Sequence, residues 1–329
     1  MILAFVAPLL AALALQPQQV EGNIPVMPPT NALRRVDPRQ YDLQFAVNIS
    51  TLIPPTDAAL RGVINVVDAP IVMPLIIRGA YTAIDPATIR ASLFIDGRPD
   101  PNVMQRTRLL ENQPYGMALG VIPIARAQCQ VLRWEITWRM QVWDCELDDA
   151  LAGRSTWPRE WPAEARAGLE PQLYIESNDP MFTRFVEEVS GGKLRSVSPF
   201  YAAKDLIRAT INRVRVTRGN VERGTGGTMY GMIVNGARFA LEYGEGSPHD
   251  TVCACVAVLR AAGIPARPVI GVDRNELVEY KSTLRSWGEF YLPGSGWVPF
   301  DPAILRGNGS LRKRVDVAWN SLCPVKDLN

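Results

Sequence analysis

The segment from 244 to 271 constrains the fold of this chain most, because it places a turn, a helix and a strand in immediate succession. Ser247 is a suitable N-cap residue, and Pro248 suits the first helical position. Asp250, three residues after the cap, completes a capping box and favours the helix dipole. The predicted helix ends before Gly263, since glycine is the residue that most often follows a helix.

A second segment, from 284 to 302, predicts a β-hairpin. Its two apolar runs are separated by Pro293-Gly294-Ser295-Gly296, a sequence typical of a tight turn. Two shorter helices are predicted before these segments, one around Met181–Val186 and one over Tyr201–Val214, because their apolar residues follow the helical period.

The preceding part of the chain has the two-residue period of β-strands. Apolar residues occupy every second position from Leu132 to Val142 and alternate again from Tyr41 to Ile49. A further run, Ile89 to Ile95, leads into Asp96-Gly97, a dipeptide typical of hairpin turns. Residues 36–150 are predicted to form an antiparallel β-sandwich or barrel, which makes the whole chain an α+β protein. The aromatic residues of these strands are interpreted as core rather than as a ligand platform.

Three segments are predicted to lie outside the two domains. Residues 151–171 contain several X-Pro pairs, which disfavour helix in the preceding residue, and are interpreted as a connector. Residues 306–329 are a C-terminal tail. Residues 1–21 are interpreted as a signal peptide, because the uncharged apolar run Ile2 to Leu15 contains the A-x-A pattern Ala12-Leu13-Ala14. The run lacks a preceding Lys or Arg, so an uncleaved membrane anchor is the alternative, and the predicted location is secreted or periplasmic.

Charge and ligand chemistry exclude several classes of function. The 35 basic and 33 acidic side chains give a net charge of +2, which supplies no long-range attraction for nucleic acid. The chain has one histidine and five cysteines, and none of them has metal-ligand spacing. We therefore expect no metal, no cofactor and no nucleic-acid partner. Contact with a membrane is expected only if the N-terminal segment stays uncleaved.

The turn, helix and hairpin together resemble the transglutaminase-like superfamily, a group with a papain-like fold. The family pattern is G-x-G-x-C-x-D, a helix ending in R-A-x-G-I-P-A-R, a strand with V-x-G, then H-x-W-x-E and G-W-x-P-x-D-P. The resemblance covers about 60 residues directly and extends, by the helices before them, to residues 172–305. It implies that this range is one domain with a central helix packed on an antiparallel sheet. The β-domain before it resembles the arrangement in bacterial members. The chain matches this pattern in order and spacing at Gly244, Gly246, Asp250, 260–267, Gly271, Trp287, Glu289, 296–297, Pro299 and 301–302.

The resemblance implies a catalytic triad of which the chain keeps one member. Active members use a Cys nucleophile at the helix start and a His base that an Asp orients. The nucleophile position falls on Pro248, which has neither a thiol nor a backbone N–H, and the base position falls on Arg285, which is permanently protonated. Asp301 matches the orienting acid. The inherited thiol chemistry is therefore predicted to be lost, and Arg285 and Asp301 are predicted to form an ion pair.

Three interpretations follow from this pattern. The first is a pseudoenzyme outside the cytoplasm, whose residual cleft binds a peptide or protein or only supports the fold. The second is an active thiol-dependent peptidase or acyltransferase with a rearranged site that uses Cys253 or Cys255 with His249. The third is purely architectural, with the β-domain mediating assembly.

Overall fold

The computed structural model describes residues 31–50, 62–79, 82–113, 117–219, 221–223, 229–272 and 284–308. The predicted signal peptide, residues 1–21, and residues 309–329 of the predicted tail lie outside these ranges. Among the described residues, none of the helices combines the length and apolar character needed to cross a membrane.

The first half of the described chain consists of antiparallel strands and one short helix. Strands β1, β9, β4 and β5 form a four-stranded sheet, β3, β7 and β6 form a second sheet, and β2 pairs with β8. The elements are β1 (Leu33–Ser50), β2 (Ile64–Val67), β3 (Ile71–Ile76), β4 (Thr82–Ile95), β5 (Arg98–Pro99), α1 (Val103–Arg106), β6 (Arg108–Gln113), β7 (Met117–Ile122), β8 (Arg126–Cys129) and β9 (Val131–Leu147).

These sheets share one apolar core, which confirms the predicted antiparallel β-structure. Leu93 of β4, Ile122 of β7 and Ile136 of β9 are at most 2% exposed and belong to the same cluster. Trp134 is buried in this cluster and Trp138 packs against it, so the aromatic residues of β9 serve the core. Residues from different sheets meet there because each strand directs alternate side chains to one face.

Strand β1 begins earlier than the alternating pattern indicates, at Leu33 rather than near Tyr41. Its pairing with β9 extends to Leu147, and the register shifts between Val36 and Arg39. Pro38 lies inside that irregular step, where a missing backbone N–H costs no ladder hydrogen bond. Pairing with a long partner strand thus extends β1 through Pro38.

The second half of the described chain combines helices with small sheets. Its central helix is α7, and its main sheet has the antiparallel order β14-β15-β16. The helices are α2 (Asp149–Ala152), α3 (Ala163–Arg166), α4 (Pro180–Ser190), α5 (Pro199–Arg213), α6 (Gly236–Tyr243), α7 (Pro248–Ala261) and α8 (Pro302–Asn308). The strands are β10 (Arg215–Val216), β11 (Val221–Arg223), β12 (Met229–Met232), β13 (Glu245–Gly246), β14 (Ala266–Val272), β15 (Leu284–Leu292) and β16 (Gly296–Phe300).

Helix α7 packs against the β14-β15-β16 sheet and is buried from His249 to Arg260. Phe290 of β15 and Phe300 of β16, both 0% exposed, share a core cluster with the apolar residues of α7. This arrangement confirms the predicted central helix on an antiparallel sheet. A helix surrounded by protein on all sides is apolar around its whole circumference, which explains the run from Val252 to Leu259.

Residues 151–171 contain helix α3, which continues into a 3-10 turn at Ala167–Leu169, and they are fixed to the second half of the chain. The indole of Trp157 donates a hydrogen bond to the carbonyl of Val197 at 2.7 Å, and that of Trp161 donates to the carbonyl of Gly263 at 2.9 Å. Pro162 precedes the first residue of α3, a position that needs no backbone N–H. The X-Pro pairs therefore limit the length of the helices here without excluding them.

The two halves of the chain also meet through the ends of β1 and β9. Ala32 is 2% exposed, belongs to the core cluster of α7, and donates its backbone N–H to the hydroxyl of Ser295 at 3.2 Å. Leu147 and Leu151 pack against the same cluster. The apolar core of the second half thus includes residues from one end of the β1–β9 ribbon, where the start of β1 pairs with the end of β9.

Candidate functional site

The start of α7 is fixed by the capping box that the sequence predicts. The backbone N–H of Asp250 donates to the hydroxyl of Ser247 at 3.1 Å, and the backbone N–H of Ser247 donates to the carboxylate of Asp250 at 2.9 Å. Pro248 is the first helical residue and is half-buried. Position 248 therefore presents a pyrrolidine ring at the site where the resemblance assigns the nucleophile.

Asp250 connects the helix start to its surroundings and is 0% exposed. Its carboxylate accepts hydrogen bonds from the backbone N–H groups of Asn235, at 2.7 Å, and Gly236, at 2.9 Å. The guanidinium of Arg218 lies 3.2 Å away. Burial alone would raise the pKa of Asp250, but the hydrogen bonds from Ser247, Gly236 and Asn235 together lower it. The carboxylate stays ionised at neutral pH and serves as an acceptor for structure.

Arg285 and Asp301 form the ion pair that the sequence predicts. Nε of Arg285 lies 2.8 Å from the carboxylate of Asp301, whose side chain is fully buried, whereas that of Arg285 is 22% exposed. The other carboxylate oxygen accepts the backbone N–H groups of Ala303, at 2.8 Å, and Ile304, at 3.1 Å. Asp301 thus caps α8, and this explains its presence without any catalytic role.

His249 lies beside Pro248 and is 7% exposed. Its Nδ1 lies 2.8 Å from the hydroxyl of Ser286, which is 3% exposed. Burial lowers the pKa of His249, although the charge of Asp250 acts in the opposite direction. The imidazole is therefore neutral at pH 7. Successive strand residues point to opposite faces, so Arg285 and Ser286 of β15 reach different partners, Asp301 and His249.

The two helix cysteines lie in the core. Cys253 is 1% exposed and Cys255 is 0% exposed, and both belong to the cluster around α7. Burial raises the pKa of Cys253 to about 12 and also raises that of Cys255. Cys253 follows His249 by one helical turn, but a buried, protonated thiol is a poor nucleophile. The structure therefore argues against the rearranged thiol site.

The other residues that match the family pattern stabilise the fold around this site. Arg267 and Glu289, a directly paired position on β14 and β15, form a buried salt bridge with 2.6 Å between Nε and the carboxylate. The guanidinium of Arg267 lies 4.2 Å from the ring centroid of Trp297. Arg260 donates to the carbonyl of Ala266 at 2.9 Å. These residues hold the sheet together, so their presence carries information on the fold rather than on the chemistry.

One member of this site was missed by the sequence analysis. Ser286 lies between Arg285 and Trp287, and nothing in its local sequence distinguishes it from an ordinary strand serine. Only the packing of β15 against α7 places its hydroxyl next to the single imidazole of the chain. Within the described residues, no group of His, Cys, Asp and Glu side chains has the arrangement of a metal site.

One solved structure of similar fold supports this architecture. No curated protein matches the sequence. A presumed cysteine protease from Cytophaga hutchinsonii is similar in structure, with a TM-score of 0.51 and 13% identity over 82% of this chain and 78% of that protein, a level that supports the fold alone. The periplasmic domain of TgpA from Pseudomonas aeruginosa, bound to ethylmercury, matches 89% of this chain and 90% of that domain at 17% identity, with a TM-score of only 0.36.

A family model tests the resemblance directly. Residues 191–302 match the model of the transglutaminase-like superfamily, and this range contains α7, the β14-β15-β16 sheet, Pro248, Arg285 and Asp301. The match spans the elements that the geometry identifies as one packed unit. Residues 191–302 of the chain therefore form a domain of the transglutaminase-like superfamily.

Proposed function

We propose that this protein is a transglutaminase-like pseudoenzyme that acts outside the cytoplasm, where its retained scaffold binds a peptide or a segment of another protein. The observation that carries the proposal is the pair of replacements, Pro248 at the helix start and Arg285 in the ion pair with Asp301. Each removes a group that acyl transfer by a cysteine nucleophile requires.

The replacement at position 248 supports the loss of the nucleophile. A proline has no thiol, hydroxyl or amine that attacks a carbonyl carbon. Loss of one triad member in a comparable hydrolase lowers turnover by up to about a million-fold. The buried thiols of Cys253 and Cys255 offer no substitute, since their raised pKa values keep them protonated at neutral pH.

The replacement at position 285 supports the loss of the base. A guanidinium stays protonated and accepts no proton from a nucleophile. Asp301 pairs with Arg285 and caps α8, so its carboxylate has a guanidinium and backbone N–H groups as partners instead of an imidazole. Both Pro248 and Arg285 remain partly exposed, and a partner has access to this surface.

Location outside the cytoplasm rests on the sequence. The apolar run from Ile2 to Leu15 and its A-x-A pattern are typical of a signal peptide. N-terminal sequencing of the protein from fractionated cells tests this part of the proposal. A cytoplasmic protein that retains residues 1–21 would contradict it.

Site-specific alkylation tests the loss of thiol chemistry. In a background in which Cys323 is replaced by Ser, iodoacetamide at neutral pH should label Cys253 and Cys255 only slowly. The matched variant Pro248→Cys should be alkylated at position 248 at least about a hundredfold faster, because a helix N-terminus lowers the pKa of a thiol. Rapid alkylation of either wild-type helix cysteine, together with an amidase or acyl-transfer activity that iodoacetamide abolishes, would refute the pseudoenzyme assignment.

Selection from a displayed library of random peptides tests the binding role. Peptides enriched on the wild-type protein should lose affinity for an Arg285→Gln variant and keep it for Arg159→Gln, which changes an exposed arginine of the connector. Circular dichroism of both variants controls for folding. Enriched peptides that bind all three proteins equally would place the binding surface elsewhere and contradict the proposal.

A further inference from the structure

The contact between His249 and Ser286 joins the two elements that carry the replaced triad positions. His249 follows Pro248 at the start of α7, and Ser286 follows Arg285 on β15. Their side chains meet at 2.8 Å and are 7% and 3% exposed. A buried hydrogen bond between two elements that are far apart in the sequence limits how far they separate at this point.

Among the described residues, the charged groups next to this contact on α7 and β15 have other partners. On α7, the carboxylate of Asp250 accepts hydrogen bonds from several donors: Asn235, Gly236, Ser247 and Arg218. On β15, Arg285 is paired with Asp301, the residue that precedes α8. Within the part of the chain that the structure describes, Asp250 is the charged group whose field acts on the imidazole of His249. Protonation of His249 would therefore add a cation to a buried region where the carboxylate of Asp250 already accepts several hydrogen bonds.

The position of His249 makes the contact sensitive to pH. A neutral imidazole fits a buried site, whereas an imidazolium prefers water. An exposed histidine has a pKa of about 6.5, and burial lowers the pKa of His249 below that value. The direction of the pH effect follows from linkage. Between the pKa of His249 in the folded state and its pKa in the open state, the open state binds more protons. Each unit decrease in pH in this range therefore favours opening about tenfold.

We propose that the His249–Ser286 pair is an acid-released latch, which holds the start of α7 against β15 at neutral pH and frees it in mildly acidic surroundings. The latch rests on the proposed function, because its opening would enlarge the partly exposed surface around Pro248 and Arg285. A partner that needs this surface opened would bind more tightly below about pH 6.5.

Nuclear magnetic resonance of the full chain, without a histidine tag, measures the first property of the latch. The chain contains one histidine, so a single imidazole signal reports on His249 without assignment. We expect this signal to titrate with a pKa below about 6.5 and to move towards that value in Ser286→Ala. Ser196→Ala, a change in an exposed serine, should leave it in place. A wild-type pKa at or above the value of an exposed histidine would overturn the latch.

Hydrogen exchange measures the opening itself. After correction for intrinsic rates, exchange in residues 249–252 should rise about tenfold for each pH unit below about 6.5 until the folded pKa is reached. His249→Asn keeps a polar group near the position of Nδ1 but cannot titrate, so its exchange should be independent of pH. Equal pH dependence in His249→Asn and the wild-type protein would overturn the proposal. Neither readout uses a ligand or an activity, so the outcome is separate from that of the pseudoenzyme assignment.

Discussion

At the scale of single residues, the family pattern of this chain is retained where it serves packing. A Cβ atom added to Gly271 would lie 2.4 Å from the ring of Trp287, and one added to Gly246 would lie 2.8 Å from Cβ of Asp250. Arg267 and Glu289 form a buried ion pair on adjacent strands. These requirements arise from packing, so they hold whatever residues occupy positions 248 and 285.

The close contact at Gly271 predicts that two glycine-to-alanine variants differ in stability. Gly271→Ala should lower the free energy of unfolding by roughly 1–3 kcal/mol, because the ring of Trp287 must shift to admit a methyl group. Gly219→Ala is the control, since a Cβ there meets nothing within 4 Å and its φ lies outside the left-handed region. Urea denaturation of both variants measures the difference. Equal stability of the two variants would show that the strand adjusts without cost.

The carboxylate of Asp250 predicts a stability that depends on pH. Its pKa is lowered in the folded protein. Its contribution to the free energy of unfolding is therefore present above the pKa that it has in the unfolded chain, and is lost as the pH falls through its pKa in the folded protein. Asp250→Asn should therefore destabilise the protein at neutral pH by about 2–4 kcal/mol, with a smaller difference near pH 3. A difference that stays constant across this range would argue against the ionised acceptor.

At the scale of elements, Asp301 links β15 to the start of α8. It accepts the first backbone N–H groups of α8 with one oxygen and pairs with Arg285 of β15 through the other. The same residue would orient a histidine in an active member of the family. In this chain it caps a helix and forms a salt bridge.

The two roles of Asp301 predict unequal effects of removing the two partners. Asp301→Ala removes the cap and leaves the partly buried guanidinium without this carboxylate, and we expect a loss of roughly 2–4 kcal/mol. Arg285→Ala leaves the cap intact, so the loss should be smaller by about 1 kcal/mol or more. Thermal unfolding monitored by circular dichroism ranks the two variants. A larger effect for Arg285→Ala would mean that the ion pair outweighs the cap.

At the scale of the whole molecule, the second half of the chain is completed by residues from outside the segment that matches the family model. Ala32 and Leu147 contribute to the core around α7, and Trp161 donates a hydrogen bond to Gly263. The connector and this one end of the β1–β9 ribbon therefore contribute to the stability of the transglutaminase-like domain.

This shared core predicts that the isolated C-terminal domain is less stable than the full chain. A fragment of residues 172–305 lacks Ala32, Leu147, Leu151 and Trp157, and it exposes the apolar surface that these residues cover. We expect one calorimetric transition for the full chain and a lower melting temperature, or aggregation, for the fragment. Two separate transitions in the full chain, one of them identical to that of the fragment, would contradict a shared core.

The sequence by itself determined the local structure around the site. The capping box at Ser247, the glycine that ends α7 and the hairpin turn before Gly296 depend on short-range sterics and hydrogen bonds, which neighbouring residues specify. The same argument applies to the alternation in β9, whose two-residue period depends only on backbone geometry. The residue types at positions 248 and 285 are likewise given directly by the sequence.

Only the tertiary structure decided which side chains meet. Ser286 contacts His249 across 37 positions of sequence, and Ala32 contacts Ser295 across 263. The burial that keeps Cys253 and Cys255 protonated likewise results from elements packed on every side of α7. Such contacts depend on how whole elements fill space around one another, and no local pattern of residue types specifies that arrangement.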